Sequence, residues 1–414
     1  MKTIVLDDDP TGTQSASDVQ VLLESSTDLI AAALTKADSV YLLTNSRSIS
    51  ETEAIDLMRT IRKDAAEAET VLGEPIQFVL RGDSTLRGHV FSETAVFADE
   101  KSVIVFVPAF PDGGRTTEGG IHYVQQGSVR VPAEQTEFAD DPVFPFATSV
   151  LVDYVRAKSG REAASVPLDL VRGGGLADEL LGAAARSVIA PDAVTNADIR
   201  LIADAIEVAR ARGASIVVRS ASPLAAMLAG VESTGLLAAP LVREPVATLL
   251  VCGSHTAGAS AQLAVVAERF GPAVVLPTAE AFADPVDTGR SAALAAEDSL
   301  ARAGIAVVTT QRERLAEHNT LDHGRLVMLA LTTAVRALLP AVGIVVSKGG
   351  ITSADVARIG LGARSATVLG QILPGVSVWR LTAADDRDLL YVVVPGNVGE
   401  PDTLAKVLAA IPVG

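Results

Sequence analysis

Short runs rich in valine, isoleucine and leucine recur along the whole chain, and alanine-rich amphipathic stretches lie between many of them. VIVFV (103–107), ATLLVC (247–252) and GIVVS (343–347) are almost entirely apolar rather than alternately apolar and polar. Strands of this kind are buried on both faces, as in a parallel sheet covered by helices. The pattern therefore predicts an α/β fold with mostly parallel sheets.

The alternation of strands and helices is interrupted at ESTGLLAAPLVREPVA (232–247), which contains two prolines and a glycine. A chain of 414 residues exceeds what one core commonly holds. We therefore predict two α/β domains, at residues 1–235 and 246–414, with an active-site cleft between them. Because a cleft excludes water, this arrangement suits group transfer.

Charge and composition exclude several classes of protein. The net charge of −16 argues against a nucleic-acid partner. We see neither a membrane-spanning apolar run nor a secretory signal, so we expect a cytoplasmic protein without membrane contact. Cys252 is the only cysteine, and the five histidines lack metal-ligand spacing. We therefore predict no metal held by a protein cluster.

Three adjacent aspartates follow the first apolar run, in LDDDPTG (6–12). Ligands of open parallel sheets bind at the carboxyl ends of strands, so this position favours a functional site. Carboxylates there can orient hydroxyl groups, accept a proton or hold Mg²⁺. The alternative is a solvated turn with an aspartate cap, but three adjacent acids repel one another unless a ligand is present.

Two further polar loops follow predicted strands, LRGDSTLRG (80–88) and PAFPDGGR (108–115). Arginines grip a carboxylate in fork geometry, and an aspartate between two arginines stays ionised. The candidate side chains are Arg81, Asp83, Ser84, Arg87 and Arg115. The alternatives are a salt-bridged helix cap for the first loop and a surface crossover for the second. The whole Gly/Pro-rich stretch 108–142 is long enough to be a functional loop.

Three glycine-containing turns follow strands in the second half: VCGSHTAGAS (251–260), SKGGITSADV (347–356) and VVVPGNVGEPDTL (392–404). Free N–H groups at such turns suit phosphate oxygens. Lys348 either adds a positive charge there or is an ordinary surface lysine. The P-loop and dinucleotide fingerprints are absent from the sequence, and ordinary turns remain the alternative. Together the two halves predict a kinase for a small anionic hydroxy acid.

Five motifs occur in order: DDPTG (8–12), RGDSTLRG (81–88), PAFPDGGR (108–115), GGITS (349–353) and PGNVG (395–399). With them the chain resembles the four-carbon acid sugar kinase family over residues 4–411. The resemblance implies an N-terminal domain that binds the sugar acid and a C-terminal domain that binds ATP, with Mg²⁺ as the accompanying ion. It implies phosphorylation of threonate, erythronate or a 3-oxo-tetronate at the terminal hydroxyl.

The resemblance also assigns residues by position. It places Asp8, Asp9, Arg81, Asp83, Ser84 and Arg87 on the acid side, with Asp8 and Asp83 as the predicted catalytic groups. It places Ser254, Gly349, Gly350, Ile351, Thr352 and Gly396 on the nucleotide side. From their loops, we add Thr11 and Arg115 to the acid side and Asn397 to the nucleotide side.

This chain departs from the family pattern at several positions. Pro10 follows the aspartates, Thr13 replaces an alanine, and the next acid, Asp18, is displaced. Ile351 stands where many members carry an acidic residue, and His255-Thr256 replaces a Cys-Ser-like pair. The exact acid and the role of Asp18 are therefore left open.

Two other functions remain as alternatives. Asp7, Asp9 and Thr11 also fit the D-x-D-x-T loop of haloacid-dehalogenase-like phosphatases, with Asp7 as nucleophile and Asp9 as acid. That interpretation needs Lys348 and Asp385-Asp386 as distant partners and leaves residues 81–88 without a role. A non-enzymatic sugar-acid sensor is the second alternative, and it needs no nucleotide turns. A homodimer is left open.

Overall fold

The structure is a computed structural model that describes residues 1–233, 235–313, 320–396 and 398–412. Its strands are β1 Lys2–Asp7, β2 Val19–Leu22, β3 Ser39–Leu43, β4 Ile76–Arg81, β5 Val103–Val107, β6 Arg115–Glu118, β7 Ile121–Gln126, β8 Val129–Pro132, β9 Ala163–Val166, β10 Val188–Pro191, β11 Ile216–Ser220, β12 Thr248–Cys252, β13 Val274–Leu276, β14 Ile305–Thr310, β15 Ile344–Lys348, β16 Ser365–Leu373, β17 Val376–Thr382 and β18 Asp388–Val394.

The helices lie between the strands. They are α1 Thr27–Lys36, α2 Glu51–Leu72, α3 Val90–Phe97, α4 Leu151–Ser159, α5 Leu168–Arg172, α6 Leu176–Gly182, α7 Asn196–Ala211, α8 Ser222–Ala229, α9 Ala257–Phe270, α10 Thr278–Ala283, α11 Pro285–Ala303, α12 Leu321–Leu338, α13 Gly350–Asp355 and α14 Thr403–Ala409. This alternation confirms the predicted α/β class with a mostly parallel arrangement.

By its contacts the chain divides into two compact units. The first comprises Met1–Asp8 with Ser25–Glu232, and the second comprises Asp9–Glu24 with Ser233–Gly414. The sequence-based division placed all of residues 1–235 in one domain. The structure instead groups residues 9–24 with the second unit because β2 pairs with β16 and the indole of Trp379 donates a hydrogen bond to the Thr13 hydroxyl.

The sheet of the first unit is parallel in every described pairing, in the order β3-β1-β4-β11-β5-β10-β9. Strands β3 and β5 are buried at every residue and β1 at all but its first, as their apolar sequences predict. Helix α2 illustrates the local logic. Ser50 and Glu53 cap its start reciprocally, and Gly73 ends it in the left-handed conformation. Its buried residues, Ala54, Met58, Ile61, Ala65 and Ala68, recur with helical spacing.

The Gly/Pro-rich stretch predicted as one long loop contains regular structure. Strands β6, β7 and β8 form a three-stranded antiparallel sheet in the first unit. Gly114 precedes β6, Gly119 and Gly120 turn the chain into β7, and Gly127 turns it into β8, all with positive φ. The glycines that suggested a loop are therefore the turns of hairpins.

The sheet of the second unit is mixed, in the order β13-β14-β12-β15-β18-β17-β16-β2. The strands from β13 to β18 pair in parallel, and β18 to β2 pair antiparallel. Leu250, Val346, Val378, Val392 and Leu404 belong to one cluster of buried residues in this unit. The strands β12, β15 and β18 are neighbours, so the loops that follow their carboxyl ends lie along one edge.

One stretch, Leu321–Ala341, is helical, long and apolar enough to cross a membrane by length and composition alone. This finding corrects the prediction from the sequence that the chain contains no such run. Buried core helices pass the same test, and Leu331, Ala334 and Val335 of this stretch are buried in the second unit. Gly289 of α11 leaves no room for a side chain, because a Cβ there would lie 2.7 Å from the Cβ of Thr333. Helices α11 and α12 therefore pack in close contact.

Candidate functional site

The carboxyl ends of two neighbouring strands of the first unit carry an ion-paired cluster. Asp7 ends β1, Arg81 ends β4, and the two residues are register partners. The Nη1 of Arg81 donates to Asp7 Oδ1 at 3.0 Å and to Asp8 Oδ1 at 3.1 Å. One guanidinium therefore bridges two adjacent carboxylates and offsets their mutual repulsion.

The other carboxylate oxygen of Asp8 is surrounded by donors. The backbone N–H of Asp83 donates to Oδ2 at 3.2 Å, Arg219 Nη2 lies at 3.4 Å, and Arg47 Nε lies at 3.5 Å. Asp8 is 1% exposed. Three guanidinium groups, those of Arg81, Arg219 and Arg47, thus converge on one buried carboxylate.

Arg219 and its second partner, Glu93, were not among the predicted site residues. Arg219 lies inside the buried strand β11, and its guanidinium pairs with Glu93 of α3 as well as with Asp8. Gly82 lies directly against this guanidinium, and a side chain there would overlap it. A sequence signal did exist, because a charged residue within an apolar strand must find a partner.

Residues 82–88, here called the acid loop, hold Asp83 in a network of their own. Asp83 accepts hydrogen bonds from the Thr85 hydroxyl and from Arg87 Nε, the latter at 2.8 Å, and Arg47 Nη1 lies at 3.8 Å. Burial alone would raise the pKa of Asp83, but the guanidinium groups of Arg87 and Arg47 and the hydrogen bonds hold it well below its usual range. Asp83 is therefore ionised at neutral pH.

Asp7 differs from its neighbour. Burial raises the pKa of Asp7 to about 7, and the Asp8 charge adds to this shift while Arg81 opposes it. Asp7 Oδ2 has no hydrogen-bond partner among the described residues. Asp7 is thus partly protonated near neutral pH, whereas Asp83 is not.

The remaining acid-side residues lie near the acid loop. Arg87 Nη1 lies 3.4 Å from Asp141 Oδ2, and its guanidinium carbon is 5.1 Å from the centre of the Phe138 ring. Burial lowers the pKa of Arg115 to about 10, while the nearby Asp83 charge opposes the shift. The Ser84 side chain is buried. The structure therefore places Arg81, Asp83, Ser84, Arg87 and Arg115 in one region with Asp8.

Asp9 and Thr11 belong to the second unit instead. Asp9 caps a short 3-10 helix, Pro10–Ser15, by accepting hydrogen bonds from the N–H and the hydroxyl of Thr11. Of the three adjacent aspartates, two thus face the first unit's cluster and one forms a cap. Asp18 is exposed, adopts a left-handed φ of 53° and donates its N–H to the carbonyl of Val368.

The predicted nucleotide residues of the second unit meet at three neighbouring turns. Gly349 has a φ of 118°, and a Cβ there would lie 3.1 Å from the Thr352 hydroxyl and 3.3 Å from Ser254. A Cβ at Gly396 would lie 2.7 Å from the Ser254 hydroxyl. Gly350 and Ile351 begin helix α13. The glycines therefore allow a close approach of backbone that no other residue permits. Asn397 lies outside the described residues.

Lys348 is not a surface lysine. Its side chain is fully buried, and its ammonium donates to the carbonyls of Pro395 at 2.7 Å and Val398 at 3.1 Å. Burial lowers the pKa of Lys348 to about 8, so the group remains mainly charged at neutral pH. The lysine joins the end of β15 to the turn that follows β18, and it thereby shapes the glycine turns.

The described residues contain no group of three or more histidine, cysteine, aspartate or glutamate side chains arranged to hold a metal ion. In the first unit Asp7, Asp8 and Asp83 already pair with arginines. These carboxylates do not form a ready protein site for Mg²⁺, which favours carboxylates together with substrate phosphates. The turns around Gly349 and Gly396 are of the glycine-containing kind that binds phosphate oxygens, although the Gly349 N–H itself donates to the carbonyl of Val394 at 2.9 Å.

Comparisons with known proteins divide the chain in a similar way. Residues 3–228 match a family described as a sugar-binding N-terminal domain, and residues 249–404 match a nucleotide-binding C-terminal domain. A D-erythronate kinase of Heliobacterium modesticaldum is 32% identical over 256 residues, 60% of this chain and 54% of the relative. A D-threonate kinase of Bordetella bronchiseptica is 28% identical over 388 residues, 92% of this chain and 87% of the relative. The matched part thus spans about half of the first relative.

Two solved structures share the fold. A Haemophilus influenzae protein from a family of unknown function has a TM-score of 0.61 at 20% identity and covers 98% of this chain and 99% of its own. A Salmonella typhimurium protein described as a putative tRNA synthase has a TM-score of 0.68 at 16% identity and covers 98% of each chain. At these identities the likeness concerns the fold alone.

Proposed function

Since the chain belongs to the four-carbon acid sugar kinase family, we propose that it transfers the γ-phosphoryl group of ATP to a hydroxyl of a four-carbon acid sugar. Threonate, erythronate and a 3-oxo-tetronate are the candidate acids, and the terminal hydroxyl is the candidate acceptor. The observation that carries the proposal is that one unit contains a buried arginine–aspartate cluster and the other unit contains closely packed glycine turns.

On the acid side, the charges of the first unit favour a small anion. The cluster contains five arginines and five carboxylates: Arg47, Arg81, Arg87, Arg115 and Arg219, with Asp7, Asp8, Asp83, Glu93 and Asp141. Because the pKa of Asp7 is raised to about 7, the carboxylates do not fully balance the guanidinium groups near neutral pH. A bound carboxylate therefore gains charge-assisted hydrogen bonds from arginine in a buried setting. Arg115 and Arg87 are the proposed partners of the substrate carboxylate.

On the nucleotide side, backbone groups are the main proposed ligands of the phosphates. Gly349 and Gly396 let the turns approach one another closely, and Gly350 begins α13. The proposed phosphate ligands are N–H groups of these turns, with the hydroxyl groups of Ser254 and Thr352 as further donors. Bound ATP supplies the phosphoryl group. Lys348 binds the carbonyls of Pro395 and Val398 and contributes a positive charge beside them.

Of the two predicted catalytic residues, Asp8 and Asp83, the contacts support a catalytic role for Asp83 and a positioning role for Asp8. Asp83 is ionised, so it can accept a hydrogen bond from a substrate hydroxyl and orient it. Its low pKa makes it a weak base, but phosphoryl transfer has a loose transition state that depends mainly on positioning. Asp8 is saturated by Arg81, Arg219 and the Asp83 N–H. We assign Asp8 the task of ordering the arginines and Asp83 the contact with the hydroxyl.

The phosphatase alternative finds no support in the first unit. A nucleophilic Asp7 must reach a phosphate, yet Asp7 is completely buried and Arg81 occupies its Oδ1. Asp9, its supposed acid, caps the 3-10 helix. The cytoplasmic location and a homodimer stay predictions.

The test is a turnover assay on the purified protein with Mg-ATP and a panel of four-carbon acids, followed by ADP release. We expect ADP release with at least one of D-threonate, D-erythronate and a 3-oxo-tetronate, and no release with the matching neutral sugar alcohols. Hydrolysis of phosphorylated sugars without any kinase turnover would contradict the proposal and favour a phosphatase. Tight binding of an acid without turnover would favour the sensor.

A further inference from the structure

Two buried side chains hold the acid loop by its backbone, and neither is one of the predicted site residues. His122, on β7, places Nε2 at 2.8 Å from the carbonyl oxygen of Ser84 and Nδ1 at 3.0 Å from the Thr117 hydroxyl. Tyr154, on α4, donates its hydroxyl to the carbonyl of Leu86 at 2.6 Å. The two anchors come from outside the loop, one from the three-stranded sheet and one from a helix.

The protonation state of His122 follows from its surroundings. Its imidazole is fully buried, and burial lowers its pKa to about 4, so the ring is neutral at pH 7. The carbonyl of Ser84 can only accept, so Nε2 must carry the proton and donate it. Nδ1 then accepts from the Thr117 hydroxyl. His122 is therefore a fixed donor to the acid loop over the whole physiological range of pH.

Tyr154 is equally fixed. Its ring lies against Phe106, with centroids 5.9 Å apart, and against Phe91 and Phe146 at 6.1 Å each. Burial raises the pKa of its phenol, so the hydroxyl stays protonated and donates. The residue that accepts this bond, Leu86, has a φ of 67°. A left-handed conformation at a leucine is costly and persists only where the surroundings impose it.

Along the acid loop, residues held by their backbone carbonyls alternate in sequence with residues whose side chains belong to the proposed site. The backbone carbonyls of residues 84 and 86 are hydrogen-bonded to His122 and Tyr154. The side chains of the intervening and flanking residues, Asp83, Thr85 and Arg87, are hydrogen-bonded to one another. A shift of the backbone at either anchor therefore moves the carboxylate of Asp83. Displacements of about 1 Å at a reacting group are enough to change rates by about a hundredfold.

We propose that His122 and Tyr154 are positioning residues that hold the acid loop in the shape that binds the sugar acid. The inference rests on the proposed function, since it assumes that the acid binds at residues 82–88. It assigns the inserted sheet, β6 to β8, the task of bracing the loop through His122. Neither side chain touches a reacting atom in this account.

The test compares Tyr154→Phe with Tyr123→Phe. Both changes remove one hydroxyl and keep the ring, but the Tyr123 side chain, on the same sheet as His122, makes no hydrogen bond among the described residues and stacks with Arg130. We expect the KM for the acid to rise about tenfold in Tyr154→Phe, with the KM for ATP unchanged. We expect Tyr123→Phe to match the wild type in both constants.

A second pair separates the hydrogen bond of His122 from its bulk. Gln can place its Nε2 donor near the position of the imidazole Nε2, whereas Met cannot donate. His122→Gln should therefore retain a lower KM for the acid than His122→Met. An unchanged acid KM in Tyr154→Phe, or equal effects on the acid and ATP constants, would overturn the proposal.

Hydrogen exchange keeps the inference testable even if no acid is turned over. Amides of residues 82–88 should exchange faster in Tyr154→Phe than in the wild type without any ligand, and amides of residues 349–353 should not change. Failure of the wild type to phosphorylate any acid would contradict the proposed function, but the exchange measurement would still test the bracing role. Unchanged exchange at 82–88 would overturn the bracing role by itself.

Discussion

In both units, loops follow the carboxyl ends of neighbouring parallel strands, but the residues of these loops differ in kind between the two units. In the first unit, the loops after β1 and β4 carry charged side chains, and Arg81, Asp8 and Asp83 bind one another in a buried network. In the second, the turns after β12, β15 and β18 carry glycines and hydroxyl groups, and Lys348 is the buried cation beneath them.

The difference follows from the proposed ligands. A four-carbon acid has few atoms, so it must be recognised by directional, charged side chains. The phosphates of a nucleotide repeat the same oxygen pattern, and backbone N–H groups suffice to bind them. Removing a charge should therefore damage the first unit most, whereas filling a glycine space should damage the second.

The largest effect is expected for Arg81→Gln. This change leaves Asp7 and Asp8 without the guanidinium that bridges them, in a fully buried setting. Breaking a buried ion pair costs about 3–5 kcal/mol, so the free energy of unfolding should fall by that amount in urea denaturation. The control is Arg59→Gln, which breaks an exposed pair with Asp56 and should cost less than about 0.5 kcal/mol. Equal losses would show that the buried network does not stabilise the unit.

Asp83→Asn should lower kcat by about a hundredfold, because the amide keeps the shape but loses the charge that accepts the substrate hydroxyl. The ATP KM should be unchanged in steady-state assays. Asp141→Asn is the matched control, since Asp141 also pairs with Arg87 but its side chain is 21% exposed. If both variants lost the same activity, the role of Asp83 would be merely to hold Arg87.

Gly396→Ala tests the second unit. The added methyl group would collide with the Ser254 hydroxyl, so MgADP should bind about tenfold more weakly in calorimetry, or about 1.4 kcal/mol. Binding of the acid should not change. Gly324→Ala, where a Cβ meets no atom within 4 Å, is the control and should bind MgADP normally. Weakened acid binding in Gly396→Ala would contradict the assignment of the acid to the first unit and of the nucleotide to the second.

The smallest effect concerns Asp7→Asn and pH. The pKa of Asp7 is about 7 in the folded protein and 3.8 for an unperturbed carboxyl, so between these values the folded state holds a proton that the unfolded state has lost. Wild-type stability from this group is therefore complete below pH 3.8 and is lost as pH rises through 7. Asn does not titrate.

The stability of Asp7→Asn relative to wild type should therefore improve by about 1–2 kcal/mol between pH 6 and pH 8. Denaturation midpoints at the two pH values, taken for both proteins, measure this difference. A constant difference would mean that Asp7 does not change its charge in that range.

Much of this arrangement is predictable from the sequence. The apolar strands predict the parallel sheets, and the rule that ligands bind at strand ends brings Asp8, Arg81 and Asp83 together correctly. The family motifs point to the same residues. Apolar segments and the motifs that follow them are local features of the chain, so they can be recognised without knowledge of long-range contacts.

The missed features depend on long-range contacts. Arg219 lies inside an apolar strand, and His122 and Tyr154 act from elements 38 and 68 residues away from the carbonyls they bind. Periodicity says nothing about such partners. The three-stranded sheet was hidden because its hairpin glycines are also typical of loops. Asp9 was grouped with its neighbours, although the pairing of β2 with β16 carries it into the second unit.

We propose that the first unit binds the acid and that the second unit binds the nucleotide. Hydrogen exchange of the wild-type protein, with D-threonate or D-erythronate alone and with MgADP alone, distinguishes the ligands of the two units. We predict that the acid slows exchange of amides in residues 82–88 and that MgADP slows exchange in residues 253–256 and 349–353. Protection of residues 82–88 by MgADP, with no response at 349–353, would contradict the account.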